Sequence, residues 1–274
     1  MTLTSFICTA CGTEYTPSET PPPACLICDD ERQYVPPSGQ GWTTLDRLQR
    51  SHMPTFRDEH GLLGIGMSPA FAIGQRALLV RTPDGNILWD CISLVSDVTL
   101  ELIRGIGGLK AIAISHPHYY TTMVAWSRAF GGIPVHLHAA DREWVMRRDD
   151  YIAFWDGDTK EIAPGVTLIR AGGHYPGGTV LHWAAGGPDG GGALLSGDIL
   201  QVAADRKHLG FMRSYPNFIP LGAAAVRAIR DRVAPYRFGS VYGAFWNAVV
   251  AQDGKAQVEK AVDRHIAWLD RPAD

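Results

Sequence analysis

A layered α/β domain preceded by a small four-cysteine module is the fold class this sequence predicts, and three observations predict it. Short apolar runs alternate with helix-length amphipathic segments over most of the chain. Two Cys-x-x-Cys pairs stand between Cys8 and Cys28. Between the two regions lies Pro36-Pro37-Ser38-Gly39-Gln40-Gly41, whose proline and glycine content breaks helix and strand alike. The expected division is residues 1–40 and residues 41–274. A chain of 274 residues with 46% apolar content can hold one sizeable domain and a small appendage.

In chain order, the cysteines come first. Cys8-Thr9-Ala10-Cys11 and Cys25-Leu26-Ile27-Cys28 form two knuckles separated by residues 12–24. Four thiolates at that spacing can close a tetrahedral metal site, and in an oxidising compartment the same four could form two disulfides. Met1 to Ile7 lacks the basic segment and long apolar core of a secretory signal, so a cytoplasmic location with reduced thiols is expected. That favours metal. Zinc is expected in an inert structural role, and iron is the alternative at a site that accepts either. The first knuckle, with Gly12 and Tyr15, resembles rubredoxin. Such a zinc-ribbon or rubredoxin-like segment buries little core in about 40 residues, so its metal would supply much of its folding free energy.

Beyond the linker, strands are expected at Leu62 to Met67, Ala77 to Arg81, Ile87 to Asp90, Leu109 to Ile114, Val135 to His138, Val166 to Ile169, Thr179 to Trp183, Ala193 to Ser196 and Ser240 to Tyr242. Helices are expected at Val98 to Ile106, Met123 to Phe130, Ala140 to Arg148, Gly222 to Val233 and Lys255 to Leu269. The alternation argues for layers of helix on sheet. No run of about 18 apolar residues marks a membrane span. A net charge of −3 offers no attraction for a polyanion, and Arg147-Arg148 and Arg227 to Arg232 read as solvated helix faces. Neither a nucleic acid nor a membrane partner is expected; a small-molecule substrate is.

The chemistry concentrates in the second half. His116 and His118 follow the run Leu109 to Ile114, His174 sits in Gly172-Gly173-His174-Tyr175-Pro176-Gly177-Gly178, and Asp198 ends Leu194-Leu195-Ser196-Gly197-Asp198. Three imidazoles and a carboxylate, each just past a strand-like run, suit zinc or ferrous iron. This order of signals resembles the metallo-β-lactamase superfamily, whose first motif is His-x-His-x-Asp-His, followed by Gly-His and Ser/Gly-Asp. The resemblance spans roughly residues 60 to 250 and implies an αββα sandwich with the metal at one sheet edge. His116, His118 and His174 match its first-site ligands, and Asp198 matches its bridging carboxylate. The second site has lost three ligands: Tyr120 stands where the motif has Asp, Thr121 where it has its final His, and Val241-Tyr242-Gly243-Ala244-Phe245 where the last family histidine is expected.

One metal is therefore expected at the histidines. With an open position, zinc there implies hydrolysis of a small ester, thioester or lactone, with Asp198 as ligand or water-orienting group. The Tyr120 phenol is expected either to donate to a developing oxyanion or to fill the empty volume. Two alternatives are an iron-dependent oxidative enzyme, similar to sulfur dioxygenases, built on His116, His174 and Asp198, and a non-catalytic metabolite-binding protein. Of the remaining candidates, Cys91 reads as a core residue and Asp90 as an orderer of the site loops. His136 and His138 read as strand residues, His182 as packed or hydrogen-bonded, and His208 as a surface-loop residue. Tyr119, Tyr120, Tyr175, Tyr215, Phe245 and Trp246 are expected near the site loops.

Overall fold

Strands that are apolar on both faces force a layered arrangement, because each face needs its own cover. In Ala77–Val80, Leu78 and Val80 point one way and Ala77 and Leu79 the other, and all four are buried. The computed structural model, which describes residues 3–271, resolves this demand as two β-sheets packed face to face with helices outside each. Leu78, Val80, Trp89, Ala111 and Ala113 of the first sheet meet Leu168, Leu181, Leu195 and Tyr242 of the second in the central core. Leu79, Leu88, Ile112 and Leu137 face outward onto Asp97–Gly105 and Met123–Ala129. On the other side, Leu194 and Val241 pack under Ala223–Val233 and Gly254–Leu269.

Among the described residues the first sheet has seven strands in chain order: Met53–Glu59, Leu62–Ser68, Ala77–Val80, Asn86–Trp89, Leu109–Ala113, Val135–His138 and Ile152–Trp155. Its first three pairings are antiparallel and its last three parallel. The second sheet runs Thr159–Ala163, Val166–Arg170, Thr179–Trp183, Ala193–Gly197, Ser240–Gly243 and Val249–Val250, with only Ala193–Gly197 and Ser240–Gly243 parallel. The strand ends of Leu109–Ala113 and Ala193–Gly197 release the two loops that carry His116, His118 and Asp198.

Local signals explain the helices. Ser96 accepts the Thr99 amide at the start of Asp97–Gly105, Asp97 favours the positive end of the helix dipole, and Leu100 and Ile103 supply the buried stripe. No described helix is long and apolar enough to cross a membrane. One expected helix is corrected. Ala140 to Arg148 forms only a short 3₁₀ stretch, Ala139–Trp144, irregular at Asp141. Asp141 is turned inward there, where its Oδ1 accepts the Gly177 amide at 2.7 Å. Arg147 is corrected with it: the guanidinium does not lie on a solvated face but pairs with Glu14 at 2.5 Å.

The cysteine segment is docked on the sandwich. Ile7–Cys8 pairs with Trp42–Thr43 beyond the linker. The Glu14 amide donates to the Thr121 carbonyl, the Thr16 amide to Met146, and Ser93 Oγ to the Gly12 carbonyl. Gly12 has φ +83°, and a Cβ there would lie 2.4 Å from Ser93 Oγ, so the close approach requires glycine.

Leu195 is fully buried between the sheets, whereas Val98 is 63% exposed. Leu195→Ala is expected to cost about 2–5 kcal/mol of unfolding free energy in a denaturant titration. Val98→Ala is expected to stay within about 0.5 kcal/mol.

Candidate metal centres

Cys8, Cys11, Cys25 and Cys28 converge in a buried cluster with Tyr15 and Ile27, covered by Trp42, Trp144 and Met146. Cys8 Sγ lies 3.6 Å from Cys28 Sγ, and Cys11 Sγ 3.6 Å from Cys25 Sγ. A disulfide requires about 2.05 Å, so the thiols are free. Four sulfurs about 2.3 Å from a common tetrahedral centre would stand about 3.8 Å apart, close to what is observed. The donor set therefore fits a single ion. Without a cation, the Cys11 thiol and its neighbours hold Cys8 well below the usual thiol range, while Cys25 and the other neighbours push Cys11 up. A cation is what lets all four ionise together.

The histidine cluster begins where the strand Leu109–Ala113 ends. Pro117–Tyr119 forms a 3₁₀ turn with His116 as its N-terminal flank, and this tight turn brings His116, His118 and Tyr119 to one side. His174 arrives from the Gly172–Gly178 loop, which is tied to the first loop by the Thr179 amide donating to the Ser115 carbonyl. Asp198 is delivered by Gly197 at φ +52°, where a Cβ would come within 2.4 Å of Ser115 Oγ. Only glycine fits that contact. One ligand atom from each of His116, His118, His174 and Asp198 lies within 4.8 Å of the others. His118 Nδ1 and His174 Nε2 are 3.3 Å apart, the separation of two nitrogens bound at about 2.0–2.1 Å to a tetrahedral ion.

Neighbouring groups point the lone pairs inward. The partner of His174 Nδ1 is the Met212 carbonyl at 3.0 Å, an acceptor only, so Nδ1 carries the proton and Nε2 is bare. His116 Nδ1 lies 2.9 Å from Ser115 Oγ, and His118 Nε2 lies 3.0 Å from the Tyr175 phenol. In the tautomers that donate to those oxygens, His116 Nε2 and His118 Nδ1 are also bare. Asp90 fixes the same loop as expected, its Oδ1 accepting the Ser115 amide at 2.8 Å.

Burial sets the charges. Loss of water pushes His116 and His118 well below the usual imidazole range and His174 down to about 4, so all three are neutral. Burial also lifts Asp90 and Asp198 to about 7 each. The three histidines are 1% exposed and Asp198 5%. His116 Nε2, Tyr119 Oη and Asp198 Oδ1 are buried without a completed hydrogen bond. Buried polar atoms are rarely left so. Three such atoms around converging lone pairs fit a cation and its attached water.

Tyr119, unlike Tyr120, is the phenol facing Asp198, and the two influence each other's ionisation. Tyr120 lies in the outer apolar core, with Asp141 and Tyr175 as its charged or polar neighbours. Thr121 spends its carbonyl on Glu14. In the Val241–Phe245 segment, the Gly243 carbonyl accepts from buried Arg76, which is paired with Glu59. Tyr175 and Tyr215 adjoin the imidazoles, whereas Phe245 packs in the outer core and Trp246 lies over Gly64 and Gly66 beneath Arg57. Cys91 is core, His138 and His182 bond to the Gly157 and Arg237 carbonyls, and His208 is on the surface with Asp205. Sequence reasoning missed Arg32, whose guanidinium lies 3.8 Å from the Tyr175 ring centre.

No protein-family model matches the chain. The sandwich has the metallo-β-lactamase fold, as solved structures show. DIM-1 metallo-β-lactamase superposes with a TM-score of 0.56 at 12% identity, over 77% of this chain and 96% of its own. The metallo-β-lactamase FIM-1 from Pseudomonas aeruginosa, in its mono-zinc form, gives 0.53 at 14% identity over 77% and 95%. In sequence, the chain belongs to the family of the uncharacterized protein YmaE of Bacillus subtilis (strain 168), with 44% identity over 268 residues, 97% of each.

The lifted carboxyl of Asp90 has a measurable consequence. Its pKa of about 7 in the fold against about 3.9 unfolded means its contribution to stability is full below pH 4 and lost as pH rises through 7. Asp90→Asn keeps an acceptor for Ser115 but cannot ionise. In metal-free protein, the variant is expected to lose less stability than the wild type between pH 4 and pH 7, as read from denaturant midpoints.

Proposed function

We propose that the chain is a mononuclear metal-dependent hydrolase acting on a small ester, thioester or lactone, with zinc as its metal. The observation that carries this reading is the convergence of imidazole lone pairs on a point where His116 Nε2 and Asp198 Oδ1, both buried, have no partner. Zinc held by His116, His118 and His174 would supply the Lewis acidity that brings the pKa of a water toward about 7 and polarises a carbonyl.

The chain's own groups divide the rest of the work. Asp198, whose carboxylate lies 3.8 Å from His116 Nε2, is placed to orient the water and take its proton. The unpartnered Tyr119 phenol is placed to donate to a developing oxyanion, and Tyr120 serves as filler in the core. Tyr119, Tyr175 and Tyr215 make a partly apolar surround that excludes competing water. One observation favours a second reading, a non-catalytic metal-holding pocket: the ligands are 1–5% exposed, so a substrate needs the surrounding wall to open.

A panel of esters, thioesters and lactones, assayed on zinc-loaded protein, tests the proposal. Turnover is expected to vanish on chelation and in His174→Ala. Asp198→Asn is expected to retain zinc and lose about 10²–10⁴ in kcat. Hydrolysis that survives both chelation and His116→Ala would sink the mechanism. Metal retention without turnover of any substrate would favour the second reading, and oxygen uptake with a persulfide by iron-loaded protein would favour an oxidative one.

A further inference from the structure

We propose that Arg32 and Tyr175 are positioning residues for His118, through which the four-cysteine module forms part of the histidine site's supporting shell. The proposal rests on reading the histidine cluster as a metal site.

Tyr175 touches the histidine site directly and the cover of the cysteine cluster through Trp144. Its phenol lies 3.0 Å from His118 Nε2. Its ring also packs edge-on to Trp144, with centres 5.7 Å apart, and Trp144 covers the cysteine cluster. The guanidinium of Arg32 is held over the Tyr175 ring at 3.8 Å and near Trp144 at 5.0 Å. A cation over an aromatic face is attracted by the ring quadrupole, more strongly when water is excluded, and Arg32 is only 6% exposed.

The cysteine module aims this guanidinium. Arg32 follows Cys28 closely, and Asp30 holds it in a fork: Nε to Oδ1 at 2.5 Å and Nη2 to Oδ2 at 2.8 Å, with the Arg32 amide also donating to Oδ1. The segment is anchored to the sandwich on its other side. Ser214 Oγ donates to the Arg32 carbonyl, and Asn217 Nδ2 donates to the carbonyls of Glu31 and Gln33. A chain of contacts thus runs from Asp30, just past the fourth cysteine in sequence, through Arg32 and Tyr175 to His118. Partners of this kind orient a ligand imidazole and raise the affinity of its site about 10–100-fold.

Charge alone would act in the opposite direction. A guanidinium near the imidazoles repels a metal cation, so if Arg32 were merely a nearby charge, removing it would tighten binding. If Arg32 positions Tyr175, removing it loosens binding. The sign of the change decides.

The test uses the full-length protein with zinc in the cysteine site and cobalt(II) as probe for the histidine site, its affinity read from visible absorption against a competing chelator. Arg32→Met keeps the stem without the charge, and Tyr175→Phe keeps the ring without the phenol. Each is expected to weaken cobalt binding about tenfold or more, with zinc at the cysteines retained. Arg32→Lys is expected to fall between Met and wild type. Unchanged or tighter binding in Arg32→Met overturns the proposal, as does unchanged binding in Tyr175→Phe. Loss of the cysteine-site zinc in Arg32→Met also overturns it, because Arg32 would then act in folding the module. Wild-type protein that binds no more cobalt than His174→Ala would instead refute the metal site itself.

Discussion

Three imidazoles and two carboxyls lie together where water scarcely reaches, and the cost of desolvating them organises the surrounding loops. Neutral histidines meet that cost by shedding charge, and each then needs a partner on the nitrogen that faces away from the common point. Ser115, Tyr175 and the Met212 carbonyl are those partners. Tyr175 and Met212 lie on segments remote from the histidines they meet, so satisfying those imidazoles fixes the segments relative to one another, while Ser115 acts within the His116 loop. The close packing of Gly197 on Ser115 belongs to the same arrangement, since it lets the Asp198 loop approach without a side chain between them.

The residues that follow the histidine turn serve as a docking surface and packing. Thr121, in a positive-φ conformation, presents its carbonyl to Glu14, and the Gly12 turn rests on Ser93 beside it. Glu14 is buried and paired with Arg147, so the junction between module and sandwich is partly ionic and shielded from solvent. A buried ion pair is weak evidence of net stability, because desolvation offsets its attraction. Its geometric demand is stricter than that of apolar contact, and it holds the module in one register on the sandwich.

Much of this was legible in the sequence, for reasons that differ by element. Central strands such as Leu109–Ala113 and Ala193–Gly197 announce themselves because both faces are buried and the apolar run is continuous. Within the two large sheets the strands overlooked, Met53–Glu59, Ile152–Trp155, Thr159–Ala163 and Val249–Val250, are the edges. An edge strand has a weaker burial pattern or is too short to show one, as the proline and charges of Met53–Glu59 and the two residues of Val249–Val250 illustrate. The four histidine-cluster residues were readable because each follows a strand end. The choice of Tyr119 over Tyr120 beside Asp198 was not, because it depends on the pitch of a three-residue 3₁₀ turn. Arg32 was invisible for another reason: its partners, Trp144 and Tyr175, are far along the chain, and no local spacing encodes that meeting.

The exposed border of the seven-stranded sheet carries one more consequence. An unpaired strand is a template onto which another chain can add by main-chain hydrogen bonding, the first step toward fibrous aggregates. Met53–Glu59 combines Pro54, which lacks an amide donor, with Arg57 and Asp58 exposed on the strand. Together they interrupt the regular donor–acceptor row and place charge along it, so a sheet that is otherwise a long, apolar, continuously bonded surface is guarded against growing from that side.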